Sequence, residues 1–188
     1  MAGSLLTRLP PVETPALWVR ELVPSDVHDF AAYMLRDDYQ RHLANRYADV
    51  DGLRKFVMRA ISRQQTGLRQ SYHLAAVLKS CGASVADGFI LANKDGIAEI
   101  GWGVHPALWG KGLGVELART LIGLAFERLQ VETIWCKVMS ANTPSLRVAR
   151  KSGLRPWKTD PGFPVSQGRL ERVDLFRLEA QDYFDAAY

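Results

Sequence analysis

Residues 101–114 read GWGVHPALWGKGLG, with five glycines and two tryptophans in one short stretch. Ordered glycine is entropically costly, so such a cluster needs a physical cause. The flanking sequence supplies one. IAEIGWGV (97–104) reads as a strand, and ELARTLIGLAFERLQ (116–130) carries Leu117, Leu121, Leu124 and Ala125 at helical spacing. Strand, glycines, then helix is an arrangement that holds phosphate. N–H groups at a helix N-terminus face the anion, the helix dipole favours it, and glycine lets the backbone approach closely.

Spacing narrows the ligand class. A Walker A loop needs a hydroxyl residue after its lysine, and Lys111 is followed by Gly112. A dinucleotide fingerprint needs G-x-G-x-x-G, which Gly110, Gly112 and Gly114 do not match, and the strands before the loop read as antiparallel. A turn that only permits tight packing is the structural alternative.

Working outward, LWVREL (17–22) alternates like a strand, and VPSDVHDFAAYML opens a helix with Ser25 or Asp26 as its cap. A second helix is expected from Asp51 to about Gln65. Three strand-like runs follow, YHLAAVLK (72–79), SVADGFILA (84–92) and 97–104, with turns at Cys81-Gly82 and Asp95-Gly96 that suggest antiparallel hairpins. Beyond the long helix come the strand VETIWCKVM (131–139) and ANTPSLRVARKSGL, a short helix with Pro144 in its first turn and Gly153 as its stop. LRPWK and RLERVDLFRLE (169–179) finish the sheet. The expected order is β-α-α-β-β-β-α-β-α-β-β, an α/β fold with a mixed sheet, in one domain over 1–188 with residues 1–12 as a loose extension.

Composition sets outer limits. The chain has 188 residues, 47% of them hydrophobic, and a net charge of +4. That is a globular composition, and no apolar run reaches the roughly 20 residues that span a bilayer. MAGSLLTRLPPVETP lacks the apolar core of a secretory signal, so a cytoplasmic location and no membrane partner are expected. The charge is too small to call for nucleic acid but suits an anionic ligand. RKFVMRAISRQQTGLR (54–69) places Phe56, Val57, Ala60 and Ile61 at helical spacing, with the arginines as an outer face. Cys136, inside an apolar run, reads as a buried reduced thiol. Neither it and Cys81 nor His28, His42, His73 and His105 have the spacing of a metal site or a triad, so no metal is expected.

WGKGLG (109–114), a long helix, a strand and then NTPSLRVARKSGL (142–154) resemble the GNAT superfamily of acyl-CoA-dependent N-acetyltransferases. The resemblance is closest to its RimJ/RimL-like branch, which acetylates protein N-termini, including those of ribosomal proteins. It covers most of the chain: PALWVRELVPSDVHDF resembles the branch's opening strand and helix, and RLERVDLFRLE its closing strand. Trp109, where the wider family has Gln or Arg, also fits the branch. The fold so implied is a mixed, mostly antiparallel central sheet flanked by helices.

The resemblance implies acetyl-CoA as the acyl donor and assigns its contacts. The N–H groups of Lys111, Gly112, Leu113, Gly114 and Val115 would cradle the pyrophosphate, and the backbone of Val104 would pair with the pantetheine arm. Asn142 would hydrogen-bond the cofactor, with helix capping as its structural alternative. Ser145 would lie near the sulfur. Arg147 and Lys151 would meet the adenosine phosphates, or else form a solvated helix face. Glu116, in a helix's first turn, is explained by the dipole alone.

Transfer of an acetyl group to an amine needs a proton acceptor on the amine side and gains from a donor to the departing thiolate. Glu99 stands where several members of the family place a catalytic glutamate. Strand alternation puts it on one face with Gly101 and Gly103, which would leave open space before it. A surface or salt-bridged glutamate is the alternative. The tyrosine that many members use as the acid is replaced by Ala149, which leaves Ser145 as the candidate donor. His73 and His105 are candidates for the acceptor region. The implied acceptor is a protein or peptide N-terminal α-amine. A small amine (aminoglycoside, polyamine or amino acid) is the alternative, and a non-catalytic CoA-binding module a third reading. TDPGFPVSQGRLE is a candidate lid, or an exchange surface in a homodimer.

Overall fold

The computed structural model describes residues 8–43, 46–66, 69–165 and 169–186. The chain opens with a short strand pair, β1 (Val12–Glu13) and β2 (Leu17–Glu21), followed by helices α1 (Asp26–Met34), α2 (Asp37–Gln40) and α3 (Val50–Arg63). Strands β3 (Ser71–Leu78), β4 (Ser84–Ala92) and β5 (Ile97–Val104) follow, then a 3-10 turn at Pro106–Leu108 and helix α4 (Leu113–Gly123). After α4 a π turn spans Leu124–Arg128. Next come β6 (Thr133–Met139), α5 (Thr143–Lys151), β7 (Arg155–Pro164), β8 (Leu170–Glu179) and α6 (Ala180–Asp185).

The strands form one sheet in the order β1-β2-β3-β4-β5-β6-β8-β7. Every neighbouring pair is antiparallel except β5–β6, so the sheet is mixed and mostly antiparallel, as expected. Strand alternation serves two cores. Leu117 and Leu121 of α4 join Ile90, Ile100, Ile134 and Phe176 in the larger one. Phe30 and Tyr33 of α1 join Leu53 and Val57 of α3 in the second, packed on Ala75. Among the described residues no helix is long and apolar enough to cross a membrane.

Several local readings shift. Of the two cap candidates for α1, Ser25 takes the N-cap position, without a side-chain cap bond, and Asp26 does not. Asp26 is buried, holds Arg20 through two 2.8 Å hydrogen bonds, and accepts from Val23 N and Ser84 Oγ. Helix α3 starts at Val50 rather than Asp51 and is capped by Asp49, which accepts from Gly52 N at 2.7 Å. Arg69 leaves the solvated arginine face altogether: it is buried, paired with Glu21, and lies over the Tyr72 ring at 4.3 Å. At the N-terminal end, residues 1–7 lie outside the described residues. From Leu9 on, the chain is held: Leu9 is buried, and its N–H donates to Glu21 Oε1.

The feature that positions the site is a split in the sheet. The β5–β6 ladder pairs only Ile97 with Thr133, Ala98 with Ile134 and Glu99 with Trp135. Both strands run on, to Val104 and Met139, without pairing to each other. The split leaves one edge of β5 open, pointing at the head of α4.

Candidate active site

The loop into α4 is held by its glycines' conformation. Gly110 and Gly112 have φ of +80° and +85°, a region that L side chains rarely enter, and a Cβ on either would meet nothing within 4 Å. Gly112 is the N-cap and brings no side chain to the task. The N–H groups of Lys111, Gly112, Leu113 and Gly114 therefore have no acceptor among the described residues. Val115 differs from this set, because its N–H already donates to Gly112 O at 3.0 Å. Gly114 differs in cause: a Cβ there would come within 3.2 Å of Val148 Cγ2, so its smallness lets α5 pack against α4.

Trp109, half exposed, donates its indole N–H to Val104 O at 2.7 Å and braces the end of β5. That takes one lone pair of a carbonyl read as a cofactor contact and leaves the other. Glu116 is a tether: its Oε1 accepts from Thr14 Oγ1 at 2.5 Å and from Ala16 N at 2.7 Å, tying the β1–β2 turn to α4. Asn142 is the N-cap of α5, with Oδ1 accepting from Ser145 N at 3.2 Å. Its side-chain amide donates to no described residue. Arg147 and Lys151 are exposed, and helical geometry puts both on the same flank of the Val148 contact. Arg119 reaches the same place, donating to Lys151 O at 2.9 Å.

Where β5 and β6 part there is a cavity of about 360 Å³. Glu99 and Trp102 of β5 line it, Cys136 and Lys137 of β6 face them, and Asn142 and Ser145 at the head of α5 close one end. The structure thus brings Glu99, Asn142 and Ser145 to one space. Glu99 is not free in it. Its carboxylate is ion-paired with Lys137, the two side chains being 16% and 24% exposed. Burial and the nearby Glu99 carboxylate push the Cys136 thiol up to about 12, so it stays protonated, as a structural thiol should.

The space expected before Glu99 is occupied by protein. Across the β4–β5 ladder, Phe89 faces Gly101 and Asp87 faces Gly103. A Cβ on Gly101 would collide with the Phe89 ring, and one on Gly103 with the Tyr39 hydroxyl and Asp87 Oδ1. These two glycines admit side chains from β4 and α2, and the cavity begins beyond them. Ala149 is fully buried on the inner face of α5 and does not line the cavity.

Asp87 is the residue the sequence reading missed. It lines the cavity and accepts from Tyr39 and, at 3.2 Å, from Tyr33, both on Oδ1. Burial raises its pKa to about 6, against the pull of the two tyrosine hydrogen bonds. Both tyrosines are pushed well above 10 by burial and by the Asp87 charge, so they remain donors. The histidines divide differently than expected. His73 lines the cavity between Phe56 and Phe89, and burial beside Arg63 and Arg69 brings it down to about 4. His42 also lines it, lowered by burial and Arg41. His105 does not: its Nδ1 accepts from Ala107 N and its ring lies against Tyr33.

Comparison with known proteins bears on this geometry. Residues 16–155 match the acetyltransferase (GNAT) domain family. The chain belongs to that family. An uncharacterized N-acetyltransferase, p20 of Bacillus licheniformis, is 30% identical over 107 residues, so the match spans 57% of each chain, a little over half the relative's length. The ribosomal-protein-S5-alanine acetyltransferase of Vibrio fischeri has a similar fold, with a TM-score of 0.79 at 15% identity over 93% of this chain and 99% of that one. So does the spermidine N-acetyltransferase of Vibrio cholerae in complex with CoA and spermine, with a TM-score of 0.77 at 15% identity over 91% and 99%. In this GNAT chain the split strand β5 lines the cavity with Glu99 and Trp102 and ends at Val104, beside Gly114 at the head of α4.

Proposed function

We propose that the chain moves an acetyl group from acetyl-CoA to a primary amine, with a protein or peptide N-terminal α-amine as acceptor, in the manner of the RimJ/RimL-like branch. The observation that carries this reading is the presence together of three features: N–H groups at Lys111–Gly114 with no acceptor among the described residues, a stretch of β5 up to Val104 that does not pair with β6, and a carboxylate-bearing cavity. The first suits a pyrophosphate, the second an amide-bearing arm, and the third the reacting amine. Arg147 and Lys151, exposed beside Gly114 and Val148, suit the cofactor's remaining phosphates.

In this reading the amine attacks the thioester carbonyl directly. Glu99 takes a proton as the tetrahedral intermediate forms, giving up its pair with Lys137 in doing so. The Ser145 hydroxyl, which has no partner among the described residues, donates a hydrogen bond to the departing thiolate and keeps its own proton, and the thiolate takes its proton from solvent. A small cationic amine is the second reading, supported by two carboxylates in the cavity wall and by the likeness to a spermidine acetyltransferase. Use of acetyl-CoA suits a cytoplasmic site of action, and the exposed outer strand β7 suits a homodimer contact.

Incubation with acetyl-CoA and two panels, N-terminally free peptides and small amines, separates the readings by mass spectrometry. A single acetyl added to peptide α-amines is expected. Acetylation confined to polyamines would move the assignment to the second reading, and tight acetyl-CoA binding without turnover on any acceptor would make the chain a cofactor-binding module. Glu99→Gln is expected to lower kcat about 100-fold while leaving acetyl-CoA affinity within about twofold.

A further inference from the structure

The cavity holds two carboxylates, and they are not equivalent. Glu99 already neutralises Lys137. Asp87 has no cation: its two side-chain partners are neutral hydroxyls, both on Oδ1, and Oδ2 has no side-chain partner among the described residues. Asp87 is also held more firmly than a pocket residue requires. Tyr33 comes from α1 and Tyr39 from α2, their rings packed edge to face at 5.0 Å, and a Cβ on Gly103 of β5 would collide with the Tyr39 hydroxyl at the carboxylate. Asp87 is half-buried, and a carboxylate so placed, with no cation among the described residues to neutralise it, is costly unless something charged visits it.

We propose that Asp87 is the docking and first proton-accepting group for the acceptor, which arrives as an ammonium ion. This rests on the amine-transfer reading above and names the form of substrate it takes. The ammonium pairs with Asp87 Oδ2. One N–H bond then breaks and its electron pair stays on nitrogen, while the proton forms an O–H bond on Asp87. The neutral amine uses that lone pair on the thioester carbonyl, and the proton on Asp87 leaves to solvent through the cavity mouth. Glu99 deals with the second proton, the one released as the tetrahedral intermediate forms. Acceptors that carry no positive charge before reaction lack the docking step.

The groups facing Asp87 fit this role. Tyr33, Tyr39 and Tyr47 are all pushed above their usual value by burial, so they stay neutral. Across the cavity His73 is neutral from about pH 4 upward, His42 is lowered as well, and Glu99 and Lys137 cancel one another. The His105 ring lies against Tyr33, and the Asp26 charge acts on Tyr33 as well. Asp87, raised to about 6, is thus poised to lose and regain a proton near neutral pH.

The test is a kcat/KM pH profile on the acceptor that wild-type protein acetylates best, with acetyl-CoA affinity measured alongside. Wild type should show an acid limb near pH 6. Asp87→Asn should lower kcat/KM about 100-fold and remove that limb, leaving acetyl-CoA affinity within about twofold. Asp87→Glu should recover part of the rate. Tyr39→Phe removes a hydrogen bond that stabilises the charged carboxylate, so the limb should move to higher pH, an effect a packing role would not produce. In His42→Gln the limb should stay where it is, whatever the rate. Wild-type kcat/KM in Asp87→Asn with the limb retained overturns the proposal and leaves the amine-transfer reading standing. Absence of turnover by wild type on any amine removes both.

Discussion

The two halves of the site are made of different material. At the head of α4 the protein presents backbone: four N–H groups without acceptors among the described residues, and glycines at 110 and 112 where a Cβ would meet nothing within 4 Å. At the β4 wall it presents side chains packed so closely that Gly101 and Gly103 have no room for a methyl group. One run of fourteen residues thus uses the same amino acid for opposite purposes, for conformation in the loop and for volume in the strand. Backbone donors bind an anion whatever the neighbouring side chains are, which suits a cofactor shared across the family. A wall of Tyr33, Tyr39, Asp87 and Phe89 can be altered one side chain at a time, which suits acceptors that differ among relatives.

If that division is right, substituting alanine for glycine should fail differently in the two halves. Gly103→Ala is the more severe. Its methyl group would meet the Tyr39 hydroxyl and Asp87 Oδ1, and Tyr39 is buried, with no free path to retreat along. Overpacking of this kind costs about 1–3 kcal/mol. Losing the Tyr39 bond to Asp87 should also reduce acceptor turnover at least tenfold, with acetyl-CoA affinity unchanged. Thermal melts, steady-state kinetics and a cofactor titration check the three statements. Full activity with wild-type stability would show that the β4 wall yields easily and has no bearing on the acceptor.

Gly112→Ala should show the reverse pattern. The methyl group meets nothing, so packing is undisturbed, but φ of +85° costs a residue with a Cβ about 1–2 kcal/mol. The loop relaxes away from the conformation that aims its N–H groups outward. Acetyl-CoA dissociation constants should rise about tenfold in a titration, while kcat at saturating cofactor stays within about twofold. A fall in kcat with unchanged affinity would mean that the loop acts on the acceptor side and would collapse the comparison.

The division also explains what could be read from the chain. The proposed cofactor half lies in two contiguous pieces, 104–115 and 142–151, so spacing placed the loop, the Asn142 cap and the short helix, and the family resemblance supplied their proposed roles. Even there, tertiary detail changed individual roles, since Val115 N–H is spent inside the helix and Gly114 serves the α4–α5 packing. The proposed acceptor half was not legible, because Tyr39 and Asp87 stand 48 residues apart and meet only when α2 packs beside β4. The one local signal was an aspartate in the middle of the apolar run SVADGFILA. Alternation correctly put Glu99, Gly101 and Gly103 on one face but carried no information about what the partner strand would push into the gap. Arg69 teaches the same lesson: its burial depends on Glu21 of β2, far away in sequence.

The smallest expected effect concerns stability and pH. Asp87 has a folded-state pKa of about 6 against an ordinary 3.8, so between these values the folded chain binds more protons than the unfolded one. Stability contributed by this residue is therefore greatest below about pH 4, falls as pH rises to about 6, and is constant above that. A shift of this size corresponds to about 1–2 kcal/mol once the part of the carboxyl open to the cavity is discounted. Asp87→Asn keeps an oxygen for both tyrosine hydroxyls and removes the charge. Its melting temperature should match wild type near pH 4 and exceed it by roughly 2–6 °C at pH 7. A variant that is less active yet more stable at neutral pH would mark a carboxylate retained against the interest of the fold. A difference between the two melting curves that does not change with pH would mean that the Asp87 charge costs the folded state nothing, and the contrast between a rigid backbone cradle and a strained side-chain wall would lose its energetic basis.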